Sequence, residues 1–444
     1  MNRKSMKTWW PVLVSLALIG LLFWLPTGFE GALQYREAER CVARVTAVDN
    51  TAIVDTGLVR TGEQRCQVTF TSGRLKGQSA VAVNLLHGSL EKDKFFEVGD
   101  RAQVVASLAG GAISRVTMTD HYRLPGEALL AVLFFALLVL CAGRTGLRAV
   151  ISFVLTVLAL WKLLIPLYLK GANPLWVGLI FNLSLTTLII ALVYGFDRRC
   201  WSAVGGAFLG IAVTCLLGVI FTGQLKIHGA VMAYSESLLY AGFQHLNLTQ
   251  IFMASIFLGA SGAVMDLAVD ITSAVAEVVE KKPTITPWEA VKSGMNVGRA
   301  AMGTMTTTLL LAYSGAYVAL LMVFMAQGTP TEHIFNYKYV AAEIIHTVIG
   351  SFGLVTVAPF TALCAGLLLT GRRASVAAPS SPSPVVVLDE PFTNLDKETI
   401  ARLTDSLLAE KEHKAIIAIT HSPELDAGAD ACRCGAENKS VWEQ

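Results

Sequence analysis

Long apolar runs without a charge constrain this chain more than any other feature. Crossing a hydrocarbon core takes about 20 mostly apolar residues in a helix. In lipid, the backbone can satisfy its own polar groups only as helices or closed barrels. Runs of helical length stand at 9–25, 125–142, 149–169, 174–194, 201–222, 250–278, 300–327 and 339–369, so eight transmembrane helices are expected. The last three exceed the minimum, which predicts tilts, kinks or half-helices within them. Hydrophobic residues make up 54% of the chain and charged residues 15%. That balance excludes a purely soluble enzyme and a disordered or collagen-like chain. The net charge of +2 gives no reason to expect a nucleic-acid partner.

Basic residues should gather in the cytoplasmic connections. With the N-terminus inside, those connections carry Arg144 and Arg148, Arg198 and Arg199, then Lys281, Lys282, Lys292 and Arg299, with Arg372 and Arg373 after the last span. The opposite connections hold Lys170, Lys226 and Lys338. Both termini are therefore expected in the cytoplasm and residues 27–124 outside. Arg3, Lys4 and Lys7 before the first run also suit a signal peptide, but no small-residue cleavage site follows Pro26, which favours a retained anchor over 1–26.

Residues 27–124 alternate with a period of two at 41–48, 66–71, 79–85, 102–106 and 113–118, separated by Asp49-Asn50, Ser72-Gly73, Gly99-Asp100 and Gly110-Gly111. Five short strands with such turns predict a small antiparallel barrel of the OB type. It lacks an aromatic stacking face, so a spacer or assembly role is favoured over nucleic-acid or sugar binding. Cys41 and Cys66 are its two cysteines, and an oxidising exterior permits a disulfide between them. Cys432 and Cys434 form a C-x-C too sparse for a zinc site.

Ionisable residues inside spans are costly, at about 2.5–3.5 kcal/mol at mid-bilayer, and mark candidate sites. Asp266 and Asp270 lie four apart on one helix face behind the small-residue run Gly259 to Ala263. Two readings stand: a cation or proton site using both carboxylates, or a helix that has already left the hydrocarbon at Asp270. Thr304, Thr306, Thr307 and Thr308 offer hydroxyls at a similar depth, either to an ion or back to their own helix. Glu343 and His346 share a face in the outer half, a spacing that suits a proton-relaying pair better than a metal. Lys162 lies near enough to the outer end of its span to snorkel. Gly206 and Gly210 form a G-x-x-x-G packing seam. Thr286-Pro287-Trp288-Glu289 is a capping box that predicts a short helix, and the apolar stripe from Met232 to Leu246 predicts an interfacial or re-entrant one.

The run GASGAVMDLAVDITSAVAEV after Leu258, then Gly298-Arg299-Ala300-Ala301-Met302-Gly303-Thr304-Met305 and Ala312-Tyr313-Ser314-Gly315, resembles the YibE/F family. Gly350-Ser351-Phe352-Gly353-Leu354 and Ala358-Pro359-Phe360-Thr361 are similar too. The resemblance covers about residues 1–371. It implies a bacterial multi-pass membrane protein with a suspected transport role and carries no catalytic residue with it.

After an Ala/Ser/Pro linker at 372–384, residues 385–436 resemble the C-terminal part of ABC-transporter ATPases. That resemblance implies Asp389 as a Mg²⁺ ligand through water, Glu390 as the group polarising the attacking water, Asp396 in the D-loop and His421 as the γ-phosphate switch. The chain has no G-x-x-x-x-G-K-[ST] to cradle phosphates and no LSGGQ-type signature, so no ATP hydrolysis is expected. The 385–444 tail is then an idle fusion remnant, the favoured reading, or a piece that docks on a separate nucleotide-binding subunit. The expected architecture is an α-helical membrane bundle with an external all-β barrel-like domain and a truncated α/β tail. No enzyme activity, cofactor or metal is expected. The lipid bilayer is the expected partner, with a nucleotide-binding subunit or a homo-oligomer as further ones. A transporter is the leading function, an assembly or scaffold protein working through the barrel the second, and a permease driven by a separate ATPase the third.

Overall fold

The computed structural model describes residues 3–29, 38–109 and 112–370 and four short strands between 385 and 443. The chain divides into two units, Met1–Val278 with Trp288–Leu369, and Val279–Pro287 with Thr370–Gln444.

In the first unit, α1 (Arg3–Trp24) precedes five strands: β1 (Ala38–Asp55), β2 (Arg60–Phe70), β3 (Ser79–His87), β4 (Arg101–Ala109) and β5 (Ala112–His121). They close into a barrel in the order β1-β2-β3-β5-β4. The β3–β5 pair is parallel, so the barrel is not wholly antiparallel as expected. Alternation fills the interior with Cys41, Ala43 and Val45 from β1, Cys66, Val68 and Phe70 from β2, and Phe96 from the β3–β4 connection. All five strands stand where the alternation places them and extend further. The Asp49-Asn50 pair does not make a turn. It lies within β1, where a register shift between Asp49 and Ala52 absorbs it, and the chain reverses after Asp55, with Gly57 at φ +84. A buried amide network holds one end of the barrel. Gln64 Nε2 donates to the Phe96 carbonyl at 3.0 Å and to Asn50 Oδ1 at 3.0 Å, while its Oε1 accepts from Phe96 N and Asn84 Nδ2, both at 3.1 Å.

Cys41 and Cys66 are free thiols, which corrects the expected disulfide. Cys66 pairs with Val48, seven residues beyond Cys41 along β1. At about 3.3 Å per residue that separation far exceeds the Cα distance a disulfide allows.

The helices follow as α2 (Leu124–Ala159), α3 (Ile165–Leu169), α4 (Pro174–Tyr194), α5 (Arg198–Gln224), α6 (Ser235–Tyr240), α7 (Leu248–Lys281), α8 (Pro287–Ser314), α9 (Val318–Ala326), α10 (Thr331–Asn336) and α11 (Lys338–Thr370). Among the described residues, five helical stretches are long and apolar enough to cross a membrane: Leu124–Leu169, Pro174–Tyr194, Arg198–Gln224, Leu248–Lys281 and Lys338–Thr370. A sixth is added if α8 and α9, bent by 68°, are one span, and Trp9–Trp24 is a shorter apolar helix. The count differs from the expected eight partly because Leu124–Leu169 runs on as one 46-residue helical stretch. Within it the chain turns back on itself: Gly143 has φ +54, Gly146 abuts the Leu138 carbonyl, and the Phe135 and Phe153 rings meet at 5.4 Å. A straight helix would hold those rings about 27 Å apart.

Two predicted short helices take other forms. The capping box does start a helix, but α8 continues unbroken from Pro287 to Ser314. The 232–246 stripe forms only α6, six residues long.

Small residues set the close contacts in the bundle. Gly206 of α5 abuts Thr361 of α11, Gly353 of α11 abuts Thr214 of α5, and a Cβ at Gly210 would meet the Gly353 carbonyl at 3.1 Å. A Cβ at Gly294 or Gly298 of α8 would meet Ala362 at 3.1 Å or Ala358 at 3.0 Å, and one at Gly350 would meet Ala260 of α7 at 3.3 Å. The G-x-x-x-G pair is thus a packing seam, and α11 is the element it packs against.

In the second unit, β6 (Val385–Asp389) pairs in parallel with β7 (Ala415–Thr420), and β8 (Ala431–Cys434) and β9 (Ser440–Glu443) complete a sheet of order β6-β7-β9-β8. Asp389 ends β6 opposite Ile419. Glu390, Asp396 and His421 lie outside the described residues.

Two measurements test this packing. Gly353→Leu is expected to cost about 3 kcal/mol, the upper end for overpacking, and to lower the melting temperature in detergent. Gly223→Leu, whose side chain meets open space, should leave it nearly unchanged. Burial pushes the Cys66 thiol up to about 11 and raises that of Cys41, where Glu39 adds to the effect, so thiolate is scarce at neutral pH. Peptide mapping after alkylation should find both cysteines unlabelled in the native chain and both labelled in denaturant without reductant. A pair that stays unlabelled in denaturant would restore the disulfide.

Candidate functional site

The six sequence-predicted site residues fall into three separate places. Glu343 and His346, on one face of α11, meet α7 and the end of α8. The His346 ring lies 5.0 Å from Phe252 and 5.9 Å from Tyr313, edge-on to the latter, and its Nε2 is 3.2 Å from Ser255 Oγ. Ser255 donates its one hydroxyl hydrogen to the Phe252 carbonyl at 2.7 Å. Its oxygen is therefore left to accept, which assigns the hydrogen on this edge of the imidazole to Nε2. The tautomer follows from that bonding pattern, with Nδ1 left as the acceptor in the neutral ring.

Glu343 stands one turn away and acts electrostatically on both Tyr313 and Tyr317, where α8 gives way to a 3-10 turn at Gly315–Tyr317. Its Oε1 is buried with no hydrogen-bond partner, and so is the Tyr313 hydroxyl. Several Ser and Thr hydroxyls share that state, but Glu343 is the one carboxyl among the described residues that does. Gly259 makes room for the tyrosine, because a Cβ there would stand 2.5 Å from the Tyr313 hydroxyl. An unpartnered buried carboxyl oxygen beside a histidine and a phenol can gain, hold or pass a proton without breaking a bond the fold depends on.

Asp266 and Asp270 lie apart from this cluster. Eleven residues of helix, about 16 Å, separate Asp266 from Ser255. Asp266 is exposed, and Asp270 is the charge that acts on it. Asp270, also exposed, neighbours Tyr194 of α4, whose hydroxyl lies 2.6 Å from both the Val269 carbonyl and Ser273 Oγ.

The threonines turn to their own helix. Thr304 donates to the Ala301 carbonyl at 3.0 Å, Thr306 to Met302 at 2.9 Å, Thr307 to Gly303 at 3.3 Å and Thr308 to Thr304 at 3.0 Å. Thr306 and Thr307 line an open cleft of about 440 Å³ with Thr347 and Ser351 of α11. No hydrogen bond among the described residues joins them to Asp266, which leaves the second of the two sequence readings, bonding back to their own helix.

Lys162 sits in a π-helical turn, Leu160–Leu164, and donates from Nζ to the Leu25 carbonyl at 3.1 Å, closing the end of α1. No group of three or more His, Cys, Asp or Glu among the described residues is placed to hold a metal.

Ser255 is the residue that sequence reasoning missed, and Tyr313 appeared there only as a polar residue further along its span. The available signal was the spacing Ser255, Gly259, Gly262, Asp266, which keeps to one helix face. Comparison with known proteins adds one match: residues 130–371 fit a family model described as YibE/F-like protein, more than half of the chain. The match covers the helices from within α2 to α11 and includes neither the barrel nor residues 372–444. No curated protein and no solved structure matches the chain.

Proposed function

The chain belongs to the YibE/F-like protein family, and from that premise we propose a transporter-like protein of the bacterial cytoplasmic membrane in which Glu343, Tyr313, His346 and Ser255 form a proton-binding station. The carrying observation is the buried Glu343 oxygen that no group satisfies, on a face shared with a histidine already fixed by Ser255. In a low-dielectric site such a carboxyl exchanges its proton with whatever charge approaches, which is the requirement of a coupled carrier.

The proposed topology has eight crossings: α1, the two arms on either side of Gly143, α4, α5, α7, the bent α8–α9 pair, and α11. The reversal at Gly143 lies beside Arg144 and Arg148, as a cytoplasmic turn should. Both termini then lie inside and the barrel outside, where its strand order suits an OB-type module. A second reading, assembly through that barrel, draws support from Leu58 and Leu90, exposed beside a cleft of about 300 Å³ that also carries Arg60 and Asp93.

Proton flux separates the two. Vesicles holding the purified chain should dissipate an imposed pH gradient, read with an internal pH dye, and Glu343→Gln should reduce the rate to that of protein-free vesicles. Tyr313→Phe removes a buried unpartnered hydroxyl, so it should leave the melting temperature unchanged or raise it, by up to the ~1–3 kcal/mol such a group costs, while flux falls. A wild-type rate equal to that of empty vesicles sinks the transport reading and favours assembly.

A further inference from the structure

The polar face of α7 below the cluster has no cover among the described residues. Gly262 and Asp266 are both exposed and one turn apart, and a Cβ at Gly262 would meet nothing within 4 Å. On α8, Arg299 and Gly303 repeat the arrangement with the opposite charge: both are exposed, one turn apart, and open space surrounds Gly303. Arg299 makes no ion pair or hydrogen bond among the described residues. Asp270, one turn along α7 and also exposed, adds a second carboxylate to the same stretch of helix.

The two sites also match in depth. Gly298 abuts Ile271, Gly294 abuts Val275 and Tyr313 abuts Gly259, which fixes the antiparallel register of α8 on α7. In that register Arg299 is level with Asp270, one turn from Asp266 and within reach of an arginine side chain. A charge left unpaired on the surface of a membrane helix is costly, and each chain exposes Asp266 and Asp270 on α7 and Arg299 on α8.

We infer that a second copy of this chain covers this surface. In the resulting two-fold dimer, α7 of each protomer lies against α8 of the other, Asp266 pairs with the partner's Arg299, and Gly262 and Gly303 permit the close approach. A two-fold contact makes the pair twice, once in each direction, and so gives both Asp266 and both Arg299 side chains a partner. Exposed glycine steps are the surfaces on which membrane helices approach most closely. The inference does not depend on the transport reading, since it concerns a face about 16 Å along α7 from the proton-binding cluster.

Charge exchange tests it in lipid vesicles, with stoichiometry read by single-molecule photobleaching of the full chain. The wild type should bleach in two steps. Asp266→Lys alone places lysine against arginine, and Arg299→Glu alone places glutamate against aspartate, so each should bleach mainly in one step. Mixed together the two variants are complementary at both contacts, and two-step complexes carrying both labels should return. That rescue also shows both variants to be folded. A wild type that bleaches in one step at every protein-to-lipid ratio overturns the dimer and leaves lipid or another protein on the face. So does a dimer that neither substitution weakens, or a mixture that fails to restore what the single variants lose.

Discussion

The close fit of α11 against its neighbours is the constraint on which the bundle depends. Lipid tails are as apolar as leucine, so burying an apolar side chain between two membrane helices gains little, and contact area must come from close approach. Glycine supplies it here on three sides of one helix. Gly206, Gly210 and Gly353 join α5 to α11, Gly294 and Gly298 bring α8 onto Ala362 and Ala358, and Gly350 lets α7 approach through Ala260. Glu343 and His346 ride on the same helix, one to two turns from Gly350. Their position relative to Ser255 and Tyr313 is therefore set by backbone packing rather than by their own hydrogen bonds.

Two polar clusters in the chain show contrasting solutions to burial. In the barrel, Gln64 uses both its oxygen and its nitrogen, and Asn84 and the Phe96 backbone complete the set, so the network fastens the β3–β4 connection in place. At the α7–α8–α11 junction, by contrast, Ser255 and His346 satisfy one another while Glu343 and Tyr313 do not. A fold gains nothing from leaving a carboxyl oxygen dry and unpaired, since each such group costs about 1–3 kcal/mol. That cost is tolerable where the group has work to do, and local rules are broken most often at functional sites. The threonines of α8 illustrate the opposite case. Each hydroxyl finds a carbonyl on its own helix, so their density in the sequence carries no site with it.

Periodicity made much of the architecture legible. Apolar runs located α4 and α11 to within a residue, and alternation located all five barrel strands. What it missed depends on contacts between elements. Asp49-Asn50 has turn chemistry, yet a strand can absorb it as a bulge when pairing continues on both sides. The cysteines looked paired because they are two in one domain, but register along β1 keeps them apart. Ser255 belongs to the site only because α7 and α11 approach closely enough at Gly350 for His346 to reach it. The spacing within α7 puts Ser255 on a shared face but does not encode that crossing.

The charges within the membrane helices divide by how they are compensated. Lys162 is compensated internally: the π-helical turn aims it at the Leu25 carbonyl, where a cation meets the negative end of α1. The neutral Tyr194 hydroxyl at the foot of α4 is satisfied in the same way, by the Val269 carbonyl and Ser273. Asp266 and Arg299 have no such arrangement among the described residues, although they lie at neighbouring depths on adjacent helices and one rotation of either helix would bring them together. The glycine contacts at Gly294 and Gly298 forbid that rotation, because they hold α8 with its small face toward α7 and α11. The packing that builds the bundle therefore directs these two charges outward. Among the described residues nothing compensates them, and the second copy proposed above offers both signs.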